Sequence, residues 1–258
     1  MAKVLAITNQ KGGVGKTTTA VNLAACLGAL GRRVLLIDFD PQGNATSGVG
    51  LDKTAQEQTV YNVVIGGEDP RSVIQHTRYD LDVLPANVEL AGAEVELASA
   101  EDGRETRLKT AVDAVREDYD FILIDSPPSL GLLSLNALTA ADGVVIPIQC
   151  EFYALEGVSE LMRTLDLVRD GLNPGLEVAG VLLTMFDVRT NLSGQVAGEV
   201  REFFKEKVYE TVIPRTVRLS EAPSYGMPIM YYDKNSKGSE AYLNLAQELM
   251  YREKKQNG

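Results

Sequence analysis

A chain of 258 residues with 45% hydrophobic and 24% charged side chains has the composition of an ordinary soluble globular protein, long enough to bury one sizeable core. Its formal net charge of −11 excludes the whole surface as a polyanion binder, although screening over about 10 Å leaves room for a local basic patch. Cys26 and Cys150 are the only cysteines and His76 the only histidine, which excludes a Cys/His metal site. No apolar run reaches the ~20 residues of a membrane span. Met1-Ala2-Lys3 leads straight into strand-like residues without a signal peptide, so a cytoplasmic protein with reduced, buried thiols is expected.

Taken in order, Val4-Leu5-Ala6-Ile7 is a short β-prone run of the buried type. Apolar residues at helical spacing from Ala20 to Leu30 predict a helix starting near Lys16 and capped by Gly31. Arg33 to Asp38 reads as a second buried strand, Thr59 to Gly67 as a short helix, and Leu81 to Pro85 as a short strand. A helical pattern from Glu89 to Arg116 is broken in two around Ala98 to Gly103. Strands follow at Phe121–Asp125, Val144–Ile148, Val178–Thr184 and Tyr209–Ile213, separated by helices over Ala154–Val168 and Ser193–Lys207. Pro214 to Arg218 is expected to open a loop region, and a last helix from Ser239 to Arg252 to end in a frayed polar tail. Strands alternate with helices and no linker tract intervenes. The pattern predicts one α/β domain over residues 1–258, a doubly wound, mostly parallel sheet flanked by helices, with a polar tail from about 252.

The first strand and helix enclose Asn9-Gln10-Lys11-Gly12-Gly13-Val14-Gly15-Lys16-Thr17-Thr18. A glycine loop between a strand and a helix N-terminus turns backbone N–H groups towards an anion, and the helix end adds positive potential. In such a P-loop, Lys16 would reach the β- and γ-phosphates and the Thr17 hydroxyl would ligate Mg²⁺. The strict pattern needs glycine five residues before Gly15, where Gln10 stands, and a second lysine, Lys11, has entered the loop. Asp38 ends the second strand, Asp40 follows it and Asp125 ends the fourth, at the carboxyl edge where ligands gather in open α/β sheets. A nucleotide brings a metal, and the metal needs carboxylate support.

Lys11-Gly12-Gly13-Val14-Gly15-Lys16-Thr17-Thr18 resembles the deviant Walker A motif of the ParA/MinD class of P-loop ATPases. The segments Asp38–Ser47, Asp125–Ser129 and Pro214–Pro223 look like those of the chromosomal ParA, or Soj, proteins, so the resemblance covers nearly the whole chain. It implies the P-loop NTPase fold, a Mg-dependent ATPase, and a nucleotide held by Lys11 through Thr18. It also implies a homodimer closed face to face on ATP, with Lys11 reaching the partner's phosphates. Asp40 would orient the attacking water, while Thr17, Asp38 and Asp125 would organise Mg²⁺. Met185, Pro214 and Thr216 would border the adenine, with Thr216 standing where the family commonly has Asn. Arg189 and Arg218 fall where non-specific DNA contacts are expected. From Arg189 to Arg218 six Lys/Arg stand against four Glu, a mildly basic stretch in an acidic chain. The implied partners are DNA and a centromere-binding ParB-type protein, and the implied location is the nucleoid in the cytoplasm.

Three other readings share the loop. A MinD-like membrane-positioning switch calls for a basic amphipathic C-terminal helix with an apolar face, which Tyr251-Arg252-Glu253-Lys254-Lys255 does not supply. An iron–sulfur carrier calls for cysteines bridging two subunits, and Cys26 and Cys150 are misplaced for that. An operator-reading regulator calls for a helix-turn-helix domain, and there is no room for one before residue 9.

Overall fold

The computed structural model describes residues 1–152, 154–155 and 157–257. Glu156, inside the helix expected over 154–168, and Gly258, the end of the expected tail, lie outside the described residues.

The first half of the chain runs β1 (Lys3–Ile7), α1 (Lys16–Ala29), β2 (Val34–Asp38), α2 (Asn44–Gly48), α3 (Val60–Val64), α4 (Pro70–Val73), β3 (Gln75–His76) and β4 (Asp82–Leu84). It continues with α5 (Leu90–Ser99), α6 (Arg107–Val115), β5 (Phe121–Asp125), α7 (Leu132–Ala140) and β6 (Gly143–Gln149). The remainder is α8 (Val158–Gly171), β7 (Glu177–Phe186), α9 (Asn191–Phe204), β8 (Val208–Pro214), α10 (Val217–Glu221), α11 (Ile229–Tyr232) and α12 (Lys237–Asn257). The eight strands form one sheet in the order β3-β4-β2-β5-β1-β6-β7-β8. All neighbouring strands are parallel except β3 against β4. This is the expected doubly wound α/β sheet. Leu5 and Ile7 of β1 face a core built with α1 and α12, whereas Val4 and Ala6 face the core under α5 to α9. Period-2 alternation on a strand covered on both sides makes every β1 residue apolar apart from Lys3 at its start.

Three of the departures from the sequence reading have a physical cause in view. Gly157 adopts φ 80°, a left-handed value, so the helix expected from Ala154 starts only at Val158. The expected loop after Pro214 contains α10, because the Thr216 side chain accepts a hydrogen bond from Arg218 N at 3.3 Å and caps it. The last helix does not fray at Arg252; it continues through Asn257. Arg252 donates to the Val208 carbonyl at 2.7 Å and lies over the Tyr209 ring, while Glu253 pairs with Lys3 at 3.5 Å. Glu248 accepts Glu210 N and Thr211 N at 2.9 and 3.0 Å, so α12 satisfies two amides of the edge strand β8. These contacts hold the helix end against the sheet.

The helix that carries the loop lysine depends on one close approach. A Cβ on Gly28 in α1 would lie 2.2 Å from the Asp80 carbonyl oxygen. Helix propensity alone favours alanine over glycine by about 1 kcal/mol, but overlap with a backbone atom forces movement costing about 1–3 kcal/mol. Gly28→Ala is therefore expected to lower the urea midpoint; a midpoint at or above wild type contradicts that packing.

Candidate active site

β1 lies in the middle of the sheet and delivers its following loop to the carboxyl edge, between β5 and β6. The loop is pinned from both sides. Asn9 Nδ2 donates to the Pro147 carbonyl at 2.7 Å while its Oδ1 accepts Lys11 N at 3.0 Å. Thr184 Oγ1, from β7, donates to the Val14 carbonyl at 2.8 Å. Gly13 and Gly15 take φ 75° and 92°, values that turn successive amides to one side. A Cβ at Gly12 or Gly13 would stand in open space, which leaves room for an anion against the loop. Thr17 and Thr18 follow in the first turn of α1, half-buried beside it.

Lys16 is 7% exposed, and its ammonium donates to the Lys11 carbonyl at 3.0 Å. Burial holds its pKa below the ordinary lysine value, with Asp125 and then Asp40 pulling it back up. Lys11 is exposed, and among the described residues its side chain has no hydrogen-bond or ion-pair partner. The two lysines of the loop thus occupy opposite environments.

Asp38 and Asp125 end neighbouring strands in direct register, and both are fully buried. Burial pushes the Asp38 carboxyl up to about 6, against hydrogen bonds from Thr46 N and Thr46 Oγ1, both at 2.7 Å, and from Asp40 N at 3.3 Å. Asp125 is raised well above the carboxylate range, first by burial and then by the Asp38 charge. Among the described residues neither Asp125 oxygen has a hydrogen-bond partner of normal geometry, although the nearby Thr17 hydroxyl favours its charged form. An unpaired buried carboxylate beside a phosphate loop fits a cation bound there. Among the described residues no group of three or more Asp, Glu, His or Cys side chains is arranged to hold a metal by itself. That suits Mg²⁺, which is commonly held by one or two protein groups together with phosphates and water. Asp40, at 8% exposure, stands at the mouth of this cluster and accepts Gln42 N at 2.9 Å.

Beside the loop opens a cleft of about 480 Å³ lined by Gly15, Thr18, Met185, Pro214 and Thr216, among others. The three residues expected around adenine therefore share one cavity with the P-loop. Met185 holds φ 51°, a strained value for a non-glycine residue at the cleft wall. Thr216 spends its acceptor on the α10 cap, leaving its hydroxyl hydrogen free to donate.

An AAA-domain family model matches residues 2–178. The chain is 60% identical to the sporulation initiation inhibitor protein Soj of Bacillus subtilis over 96% of its length and 98% of that protein. It is 54% identical to the chromosome partitioning protein ParA of Myxococcus xanthus, covering 98% of this chain and 89% of that one. The chain belongs to the Soj/ParA family of chromosome-partitioning ATPases. A solved structure from Mycobacterium smegmatis, described as cobyrinic acid a,c-diamide synthase with bound ATP analogue and magnesium, superposes with a TM-score of 0.87. That chain is 40% identical, with 98% of this chain and 96% of that one covered.

The remaining residues singled out for this Soj/ParA chain lie at one corner of the sheet. Arg189 follows the end of β7 and Arg218 follows the end of β8, and the two ends are joined by Arg215 N donating to the Phe186 carbonyl at 3.0 Å. Arg189 is 83% exposed and paired with Asp187 at 2.7 Å. Arg218 pairs with Glu221 at 2.9 Å and Asp233 at 3.4 Å. Each guanidinium is matched by a nearby carboxylate, which reduces the basic patch relative to a count of Lys and Arg. Sequence reasoning assigned no role to Asn9, Thr46 or Thr184. Thr46 lies in the quoted Asp38–Ser47 segment, but nothing in its residue type says that its hydroxyl meets Asp38.

Proposed function

We propose that this Soj/ParA ATPase is a DNA-segregation switch that binds ATP and Mg²⁺ in the cleft described. Two chains close face to face on the nucleotide, bind DNA without sequence preference, and hydrolyse ATP when a ParB-type partner stimulates them. The observation that carries this reading is Lys11, an exposed loop lysine with no partner among the described residues, beside a buried Lys16 committed to its own loop. A lysine so placed serves a second nucleotide better than its own. Phosphoryl transfer requires positioning and charge neutralisation more than covalent help, so a lysine supplied in trans is chemically sufficient. Bound Mg²⁺ neutralises phosphate charge; Thr17, Asp38 and Asp125 are the residues that would organise it. Lys16 and the amides of Gly12 to Thr18 would hold the phosphates, and Asp40 would orient water. Met185, Pro214 and Thr216 would enclose the base. Arg189 and Arg218 of both chains would face one DNA duplex, so dimerisation doubles the number of phosphates neutralised. The protein then works in the cytoplasm, on the nucleoid. Among the described residues no helix is long and apolar enough to cross a membrane.

The test is DNA binding across a salt series with ATP, with ADP and without nucleotide. Binding is expected only with ATP and to weaken steeply with salt. Arg189→Ala and Arg218→Ala should each reduce the log–log salt slope by about one for every phosphate no longer neutralised, while leaving ATP-dependent dimerisation intact. Nucleotide-independent binding, or none, removes the DNA step; ATP-dependent sedimentation with anionic vesicles instead would restore the membrane reading.

A further inference from the structure

We infer that Glu94 is a positioning residue for hydrolysis: it holds the loop behind Asp125 by capping a helix that has no cap of its own. The inference rests on the reading of Asp125 as a carboxylate that supports Mg²⁺.

Helix α7 begins after Gly131, which offers no side chain to its first-turn amides. Two of those amides are satisfied from a distant element. Leu132 N donates to Glu94 Oε2 at 3.0 Å and Leu133 N to Glu94 Oε1 at 3.2 Å, so one carboxylate on α5 spans the start of α7. A negative charge there is favoured both by these charge-assisted bonds and by the helix dipole. The contact is tight, since a Cβ on Gly131 would lie 2.3 Å from Glu94 Oε1. One turn further on, Ser134 Oγ donates to the Ser129 carbonyl, tying the loop back onto the helix. Ser126 to Gly131 are thus held at one end by β5 and at the other by an α7 N-terminus that Glu94 fixes in place.

The same stretch of chain supports the other buried carboxylate. Ala86 N donates to Thr46 Oγ1 at 2.9 Å, and that hydroxyl donates to Asp38 Oδ2. Residues 86 to 94 therefore brace Asp38 at one end and the loop after Asp125 at the other. Loss of outer contacts that position metal-organising carboxylates typically costs about 10–100-fold in metal affinity or activity.

Steady-state ATP hydrolysis and its Mg²⁺ dependence, measured on folded variants, test this. Glu94→Ala should lower kcat about 10-fold and raise the Mg²⁺ concentration for half-maximal rate by a similar factor, with KM for ATP unchanged within about twofold. Glu94→Gln, which keeps an acceptor oxygen, should fall between it and wild type. Gly131→Ala should reproduce Glu94→Ala, because its methyl displaces the carboxylate; its backbone φ of −88° imposes no strain of its own. In the Glu94→Ala/Gly131→Ala protein the methyl finds vacated space, so the double variant should lose no more than either single one. Wild-type kcat and Mg²⁺ dependence in Glu94→Ala, or additive losses in the double variant, would overturn the inference. Asp125→Asn in the same assay separates the two layers: full turnover there overturns the Mg²⁺ reading itself, whereas lost turnover there with normal Glu94→Ala overturns only the role of Glu94.

Discussion

Asp125→Asn is expected to make the nucleotide-free protein more stable and the enzyme inactive. Asp125 is fully buried, its oxygens have no hydrogen-bond partner of normal geometry among the described residues, and Asp38 ends the neighbouring strand in register with it. Asparagine removes the buried charge and its repulsion at nearly constant volume, an expected gain of about 1–2 kcal/mol near pH 8. For a chain of this size that is a rise of about 2–4 °C in Tm per kcal/mol. The sign with pH follows from the raised carboxyls. Asp38 sits at about 6 in the folded chain against an ordinary 3.8, so between these values the native state holds more protons than the unfolded one. That contribution to stability is complete below the unfolded value and is lost as pH rises through about 6. Asp125 moves in the same direction. Wild-type melting temperature in metal-free buffer should therefore fall as pH rises from about 4 through about 6, and the Asp125→Asn slope should be shallower. Turnover should drop by about 100-fold as the metal loses its support. A variant that melts lower and still hydrolyses ATP would contradict the proposed role of Asp125. The trade is common at functional sites, where a group that is costly in the empty fold is the one the ligand requires.

Lys11→Ala is expected to separate nucleotide binding from turnover. Lys16, the loop amides and the cleft remain in that variant, so affinity for a fluorescent ATP analogue should stay within a few-fold of wild type. Stimulated hydrolysis should fall by about 1000-fold, the scale on which a cationic finger acts in phosphoryl transfer. ATP-dependent dimerisation, read by sedimentation, should be lost with it. Lys16→Ala should behave differently, because its buried ammonium sits over its own loop, and nucleotide binding itself should fail. Wild-type hydrolysis by Lys11→Ala would make the exposed lysine an ordinary solvated side chain and remove the case for a face-to-face dimer.

Much of the molecule was legible because its chemistry is local. A glycine that must take a left-handed φ, an apolar run of strand length and a helix starting at Lys16 are properties of a few consecutive residues. They led directly to the P-loop, to the order of alternating strands and helices, and to the carboxylates at the strand ends. Where the elements departed from the sequence reading, the cause was a single backbone conformation, a local side-chain cap or a long-range contact. Gly157 delays α8 through its own φ, whereas α12 extends because Arg252 and Glu253 meet β8 and Lys3 across the fold.

Other features became visible only in three dimensions. Thr184 reaches the loop from 170 residues away, Asn9 reaches β6 across 138, and Glu94 caps a helix that begins 38 residues later. Asp38 and Asp125 become a coupled pair only because the sheet places β5 beside β2. The sequence by itself determined the phosphate loop, the strand-ending carboxylates and the α/β class, since backbone preference and hydrophobic period act over a turn or two. The tertiary structure alone decided which carboxylate and which loop lysine lack partners among the described residues, and which arginines are neutralised. Those depend on desolvation and hydrogen bonds between segments that share no local pattern and meet only when the sheet is assembled.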